Sequence, residues 1–215
     1  MGKGISIVTS FGCPYDCWYC IMKQHSLYKY SEELDLGKIR QFLKDNKDTS
    51  ELSISGGGDP LNDFIKHKSF YFDFLFPTVK SIGMNNMDGI DIHTRIPLYD
   101  ALFWSYINRC VFSIDFVDGK IKNEKFIRWI YNNTKCKLRL FHCVLPTTTD
   151  SDIDYLINVG NELGCQVSIK QLHGFNDNGR FNSISEKYPE LFKVYDTNYL
   201  IYYMPNNKVT DTFMF

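Results

Sequence analysis

The amino-acid sequence predicts an α/β domain built on parallel strands, and three observations carry that expectation. Six short runs rich in β-branched and aromatic residues alternate with segments whose apolar residues recur at helical spacing. That is the pattern of right-handed βαβ units. The chain has 215 residues, enough for one substantial domain and too few for two. No long repeat, low-complexity tract or linker divides it, so residues 1–215 read as a single domain, with a core over about 1–175 and an extension over about 176–215. Aromatic residues make up 16% of the chain, which supplies bulky side chains for a large core.

The elements follow in order. Ile5-Ser6-Ile7-Val8-Thr9-Ser10 reads as a first, buried strand. Phe11-Gly12 turns the chain into a cysteine-bearing loop, in which Pro14 fixes one φ angle. Ile21 to Tyr30 is polar and aromatic and reads as loop. Asp35 can cap a helix whose Leu36, Ile39, Phe42 and Leu43 recur at helical spacing. Glu51 to Ser55 is the second strand and ends in Gly56-Gly57-Gly58, where the backbone can approach a ligand closely. Phe64 to Ile82 is helical in pattern, with Pro77 expected to break or kink it. Gly89 to Arg95 is the third strand, Tyr99 to Asn108 a short aromatic helix, and Cys110 to Asp115 the fourth strand. A helix over Lys122 to Asn133 leads to a fifth strand, Lys137 to Leu145. Ser151 and Asp154 have capping-box spacing for a helix over Asp152 to Leu163, closed by Gly164. Cys165 to Leu172 is the sixth strand. The tail from Asn176 leaves the alternation, and its segments Asn198 to Met204 and Lys208 to Phe215 flank Pro205-Asn206-Asn207 as a hairpin. Such an extension can cap the core or wall a substrate cavity.

The chemistry concentrates in Phe11 to Cys20. Cys13, Cys17 and Cys20 place three thiols within eight residues. Thiolates are soft ligands that hold zinc or iron–sulfur clusters. A structural zinc site closes its shell with four ligands, whereas three cysteines leave one iron of a cluster open for chemistry. With Tyr19 directly before the last cysteine, the spacing Cys13-x3-Cys17-x2-Cys20 resembles the signature of radical S-adenosylmethionine (SAM) enzymes. About one βα unit later, Ser55-Gly56-Gly57-Gly58-Asp59-Pro60 resembles the Gly-Gly-Glu-Pro motif of the same family. Asp59 stands there in place of Glu, one carbon shorter.

The resemblance implies a partial (β/α)6 barrel, a curved sheet open on one side. It implies a [4Fe-4S] cluster on Cys13, Cys17 and Cys20, with SAM chelating the open iron through its amino and carboxylate groups. An electron from the cluster would then split SAM into methionine and a 5'-deoxyadenosyl radical, which abstracts hydrogen from a substrate. Tyr19 would lie near the adenine. Gly56, Gly57, Gly58 and Asp59 would hold the methionine amine, through glycine backbone groups or the carboxylate. Polar residues at the end of the fourth strand, here Ser113 and Asp115, would touch the ribose or the methionine carboxylate. An electron donor such as flavodoxin or ferredoxin would be a partner. Compact 7-carboxy-7-deazaguanine synthases share the size and cysteine spacing, but carry Asp-Thr or Asp-Ser where this chain has Ile21-Met22, a poor match.

Ligand sites in parallel α/β folds lie at the carboxyl ends of the strands. That rule nominates His93, Thr94 and Arg95, then Ser113 and Asp115 on one strand face, then His142, and then Lys170, Gln171 and His173. Single histidines in such places are more often structural than catalytic. Arg95 and Lys170 can hold a carboxylate or phosphate, or simply solvate a surface. Cys110, Cys136, Cys143 and Cys165 show no clustered spacing and read as small buried hydrophobes, without an auxiliary cluster. Between Lys120 and Arg139 the basic residues Lys120, Lys122, Lys125, Arg128, Lys135, Lys137 and Arg139 face Glu124 alone. Such a run is a charged helix face, or a guide for an anionic partner.

Formal charge is −1, which argues against broad, salt-driven nucleic-acid binding but not against a nucleotide-sized substrate. No apolar run is long enough to span a bilayer and none reads as a signal peptide. Seven cysteines without secretory features point to a reducing, cytoplasmic location. The preferred reading is a radical SAM enzyme acting on a small-molecule or nucleotide-like substrate. A second reading is an activase that abstracts a glycine hydrogen from a protein partner. A third, non-enzymatic reading has Cys13, Cys17, Cys20 and His25 holding a structural zinc.

Overall fold

In a computed structural model, which describes residues 4–20, 34–84, 89–171, 179–191, 200–204 and 207–210, the chain forms two compact units. One comprises Met1–Ile96, Tyr106–Asn108 and Asp196–Phe215, the other Pro97–Ser105 and Arg109–Tyr195.

The first unit is centred on β1 (Gly4–Thr9), in which every residue is buried. A strand covered on both faces is rich in apolar, β-branched residues, here Ile5, Ile7 and Val8, which is why this run was legible. β1 pairs in parallel with β2 (Leu52–Gly56), from Ile5↔Leu52 to Thr9↔Gly56. β2 pairs in parallel with β3 (Ile90–Thr94). The Asp35 side chain caps α1 (Leu36–Asp45) by accepting from Lys38 N at 3.0 Å, and Ile39, Phe42 and Leu43 form its buried face.

Three sequence expectations change here. The run from Phe64 to Ile82 is not broken at Pro77. It passes from α2 (Phe64–Ser69) through a π-helical segment, Phe70–Leu75, into α3 (Phe76–Ile82). Pro77 falls where the π-helical segment gives way to α3, a local departure from regular α-helix of the kind proline accompanies. The expected helix over Tyr99 to Asn108 is cut short, because Ile107 and Asn108 begin β4 (Ile107–Ser113). The C-terminal hairpin is present as β9 (Leu200–Tyr203) and β10 (Val209–Thr210), antiparallel to each other, but β9 also pairs in parallel with β1. The strand order in this unit is β10-β9-β1-β2-β3. The extension therefore continues the sheet and pairs the edge of β1, whose backbone groups would otherwise be left open. Asn207 Oδ1 fastens it, accepting from Tyr203 Oη at 2.6 Å and from Asp35 N at 3.1 Å. Pro205 and Asn206 of the expected turn, and the loop Ile21 to Tyr30, lie outside the described residues.

The second unit holds α4 (Ala101–Trp104) and most of β4, then α5 (Glu124–Asn133), β7 (Lys137–Cys143), α6 (Asp150–Glu162) and β8 (Gln166–Lys170). β4, β7 and β8 are neighbours in that order and all parallel. Between β4 and α5 lies a small hairpin absent from the sequence expectation, β5 (Phe116–Val117) and β6 (Lys120–Ile121). Its turn is Asp118-Gly119, with φ of 52° and 70°, a pairing that hairpin turns favour. The capping box of α6 is formed by Thr149 and Asp152, two residues earlier than expected. Thr149 wins because its side chain and that of Asp152 each bond the other's backbone N–H, at 3.1 and 2.8 Å. A further helix, α7 (Arg180–Lys187), packs Phe181 and Ile184 with Val144, Ile153 and Ile169.

Candidate active site

The two motifs that lie 43 residues apart from Gly12 to Ser55 in the chain are stitched together where β1 and β2 end. Gly57 N donates to Thr9 O at 2.6 Å and Asp59 N to Gly12 O at 2.8 Å. Asn62 Nδ2 donates to Phe11 O at 2.6 Å. Gly58 has φ of 144°, and a Cβ there would lie 2.2 Å from Gly12 O. Only glycine fits so close a backbone approach. A Cβ on Gly56 would likewise meet Gly58 O at 2.3 Å.

Asp59 is buried and turns inward. Its Oδ1 accepts from Thr94 Oγ1 at 2.7 Å and from Leu61 N at 2.9 Å, and its Oδ2 accepts from Arg95 N at 2.7 Å. Burial raises its pKa above the ordinary carboxylate value, against the pull of these hydrogen bonds. The shorter side chain thus ties the glycine turn to the end of β3. Tyr71, fully buried on the π segment, donates its hydroxyl to Pro60 O. Phe11 stacks on His67 of α2 with ring centroids 3.9 Å apart. Asn62, Tyr71 and His67 support the site and were not found by sequence reasoning. No spacing marks them, because they are recruited by packing.

Cys13, Cys17 and Cys20 are in no disulfide, each partly exposed, on one loop. Cys20 N donates to Cys17 O at 3.2 Å, making a turn at Trp18-Tyr19. Burial pushes the Cys13 thiol up. Among the described residues no group of three His, Cys, Asp or Glu side chains is gathered closely enough to hold a metal ion. The donor chemistry, three thiols on one loop, fits a cluster with an open iron. Arg95 reaches this loop from the end of β3. Its Nη1 donates to Cys17 Sγ at 2.6 Å, its guanidinium lies 4.7 Å from the Tyr15 ring centroid, and its carbonyl accepts from Tyr15 Oη at 3.1 Å. Tyr19 is half-buried and packs edge-on to Trp18. His25 and His173 lie outside the described residues.

In the second unit, Ser113 is the last residue of β4 and Asp115 lies in the link to β5, at the carboxyl end of the strand. His142 is buried, with Nδ1 2.9 Å from Ile114 O and Nε2 2.9 Å from Thr148 Oγ1. Donation from Nδ1 to the carbonyl leaves Nε2 to accept from the threonine hydroxyl, so both ring nitrogens are engaged in structure. Lys170 ends β8 with Nζ 5.0 Å from the Phe141 ring centroid, and burial lowers its pKa.

No model of a known protein family matches the chain, and no curated protein matches it in sequence. A solved structure does. It is the tagged protein anSMEcpe with bound AdoMet, an anaerobic sulfatase-maturating enzyme of the radical SAM class, with a TM-score of 0.62 and 16% identity. The match covers 88% of this chain and 61% of the other, so the chain spans about three fifths of that protein's length. The fold is the partial radical SAM barrel. At this identity the likeness establishes the fold alone, and within it the cysteine loop and glycine turn follow the first and second strands, as the resemblance implies. No helix among the described residues is long and apolar enough to cross a membrane.

Proposed function

We propose that this chain is a radical SAM enzyme, with Cys13, Cys17 and Cys20 as the cluster ligands. The observation that carries the reading is the joining of the two motifs. The backbone bonds Gly57 N to Thr9 O and Asp59 N to Gly12 O hold the glycine turn against the cysteine loop, on a fold that such enzymes use. A bound [4Fe-4S] cluster would supply the electron that splits SAM into methionine and a 5'-deoxyadenosyl radical.

The chain's own residues bind, orient and shield. Gly56, Gly57 and Gly58 present backbone unobstructed by any Cβ to the methionine end of SAM. Asp59 acts through that turn, holding it to Thr94 and Arg95, and its carboxylate is the lesser candidate for direct contact. Tyr19 lies beside the last cysteine for the adenine. Ser113 and Asp115 stand at a strand end, where polar contact with the ribose or carboxylate belongs. The substrate is a small or nucleotide-like molecule, and the reductant a flavodoxin- or ferredoxin-like protein.

The test is anaerobic reconstitution with iron and sulfide, reduction with SAM present, and measurement of 5'-deoxyadenosine. Slow formation without substrate, abolished in Cys17→Ala while the fold remains, is the expected result. A colourless protein that holds zinc and leaves SAM intact would sink the reading.

A further inference from the structure

We propose that the second unit carries a separate site for a small phosphate-bearing molecule with an aromatic body, of nucleoside monophosphate size. It lies at the amino ends of β4, β7 and β8, the opposite ends of those strands from Ser113, Cys143 and Lys170. A cavity of about 530 Å³ opens there, within the size range of small-molecule sites. Arg109, Lys135 and Lys137 line it, together with Tyr131, Thr134 and Gln166, and no acidic residue does.

Arg109 and Lys137 are direct partners in the β4–β7 register, so two of these cations stand side by side. Arg128, in the same basic run, behaves differently. Arg128 is neutralised, donating to Glu124 at 2.8 Å and to both oxygens of Glu162 at 2.6 and 2.8 Å. Those acids are thereby occupied, and neither Lys135 nor Lys137 has an ion pair among the described residues.

A plainer role for the lysines would be to cap the carboxyl ends of α5 and α6, which carry partial negative charge. Several carbonyls at those ends already have other donors. Thr134 N and Oγ1 both donate to Ile130 O at 3.0 and 2.9 Å, and Asn133 Nδ2 donates to Trp129 O at 2.8 Å. On α6, Gly164 N donates to Asn161 O and Cys165 N to Gly160 O. Lys135 and Lys137 can meet a ligand's charge, Gln166 its polar edges, and the exposed Tyr131 ring an aromatic face.

Calorimetric titration with uridine 5'-monophosphate tests this, since that probe lacks the adenine of SAM. It should bind, uridine should not, and added salt should weaken the binding. The double variant Lys135→Gln/Lys137→Gln should bind it roughly tenfold less tightly or worse, with an unchanged Tm in the absence of ligand. Tyr131→Ala should weaken the nucleotide but not inorganic phosphate. No binding of the nucleotide, equal binding by the double variant, or a lowered Tm as that variant's sole change would overturn the proposal. Inorganic phosphate binding as tightly as the nucleotide would overturn the part assigned to Tyr131.

Discussion

The corner where β1 and β2 end and the strand ends of β4, β7 and β8 were nominated by the same rule, yet they are built differently. At the first corner the backbone itself is the device. Gly58 brings two loops into contact closer than any side chain allows, Gly56 keeps the turn itself clear, and the polar groups around them serve that contact. At the second set of strand ends the side chains are the device, and one nominee is already committed: His142 joins Ile114 to Thr148. Position at a carboxyl end thus does not by itself distinguish ligand contact from loop support. Where glycine is sterically required, the backbone approach is the informative sign.

The largest effect that would break this contrast comes from Gly58→Ala. A Cβ placed 2.2 Å from Gly12 O at φ of 144° should cost roughly 3–5 kcal/mol in urea unfolding. Gly119→Ala is the control, with φ of 70° and nothing within 4 Å, and should lose only about 1–2 kcal/mol. Equal losses would remove the case for a required close approach. Asp59→Ala comes next, because it strands Thr94 Oγ1, Leu61 N and Arg95 N together. It should cost about 2–4 kcal/mol, and SAM affinity measured on the folded fraction should change little if the glycine backbone does the binding.

His142→Ala should lower stability by about 2–3 kcal/mol while leaving 5'-deoxyadenosine formation per folded molecule unchanged. Loss of that activity in a fully folded variant would return His142 to the reacting centre. The smallest effect belongs to the exposed cluster of Asp150 with Lys187 and Arg180. Hydrogen bonds from Lys187 and Arg180 lower the Asp150 pKa below its ordinary 3.8. Its contribution is therefore present above that value and disappears as pH falls through the lower, folded-state value. Urea midpoints of Asp150→Asn and the parent should differ at neutral pH and converge in strong acid; a constant gap would assign the difference to something other than this charge.

Much of the frame was legible in the sequence. β1, β2, β3, β7 and β8 appear within a few residues of expectation, because each is a short run carrying aliphatic or β-branched residues at alternate or successive positions. α1 was legible from Asp35 and its four apolar positions. Two errors share a cause, competition between neighbouring segments. Ile107 and Asn108 read as helix but were taken by β4, and Ser151 lost the cap of α6 to Thr149. The β5–β6 hairpin was announced by Asp118-Gly119 and passed over because each strand has only two residues.

The cysteine spacing, the glycine run and the alternation of elements depend on local chain chemistry, so the sequence by itself determined the fold class and the family likeness. Which side chains complete the corner was decided only in three dimensions. Asn62 and Tyr71 carry no signal in the sequence; they meet Thr94 and Arg95, which the strand-end rule did nominate, because parallel pairing of β1, β2 and β3 brings distant strand ends side by side. The same holds for β9. Nothing in its sequence names β1 as its partner; the unfilled hydrogen bonds along the β1 edge, a property of the folded sheet, make the choice.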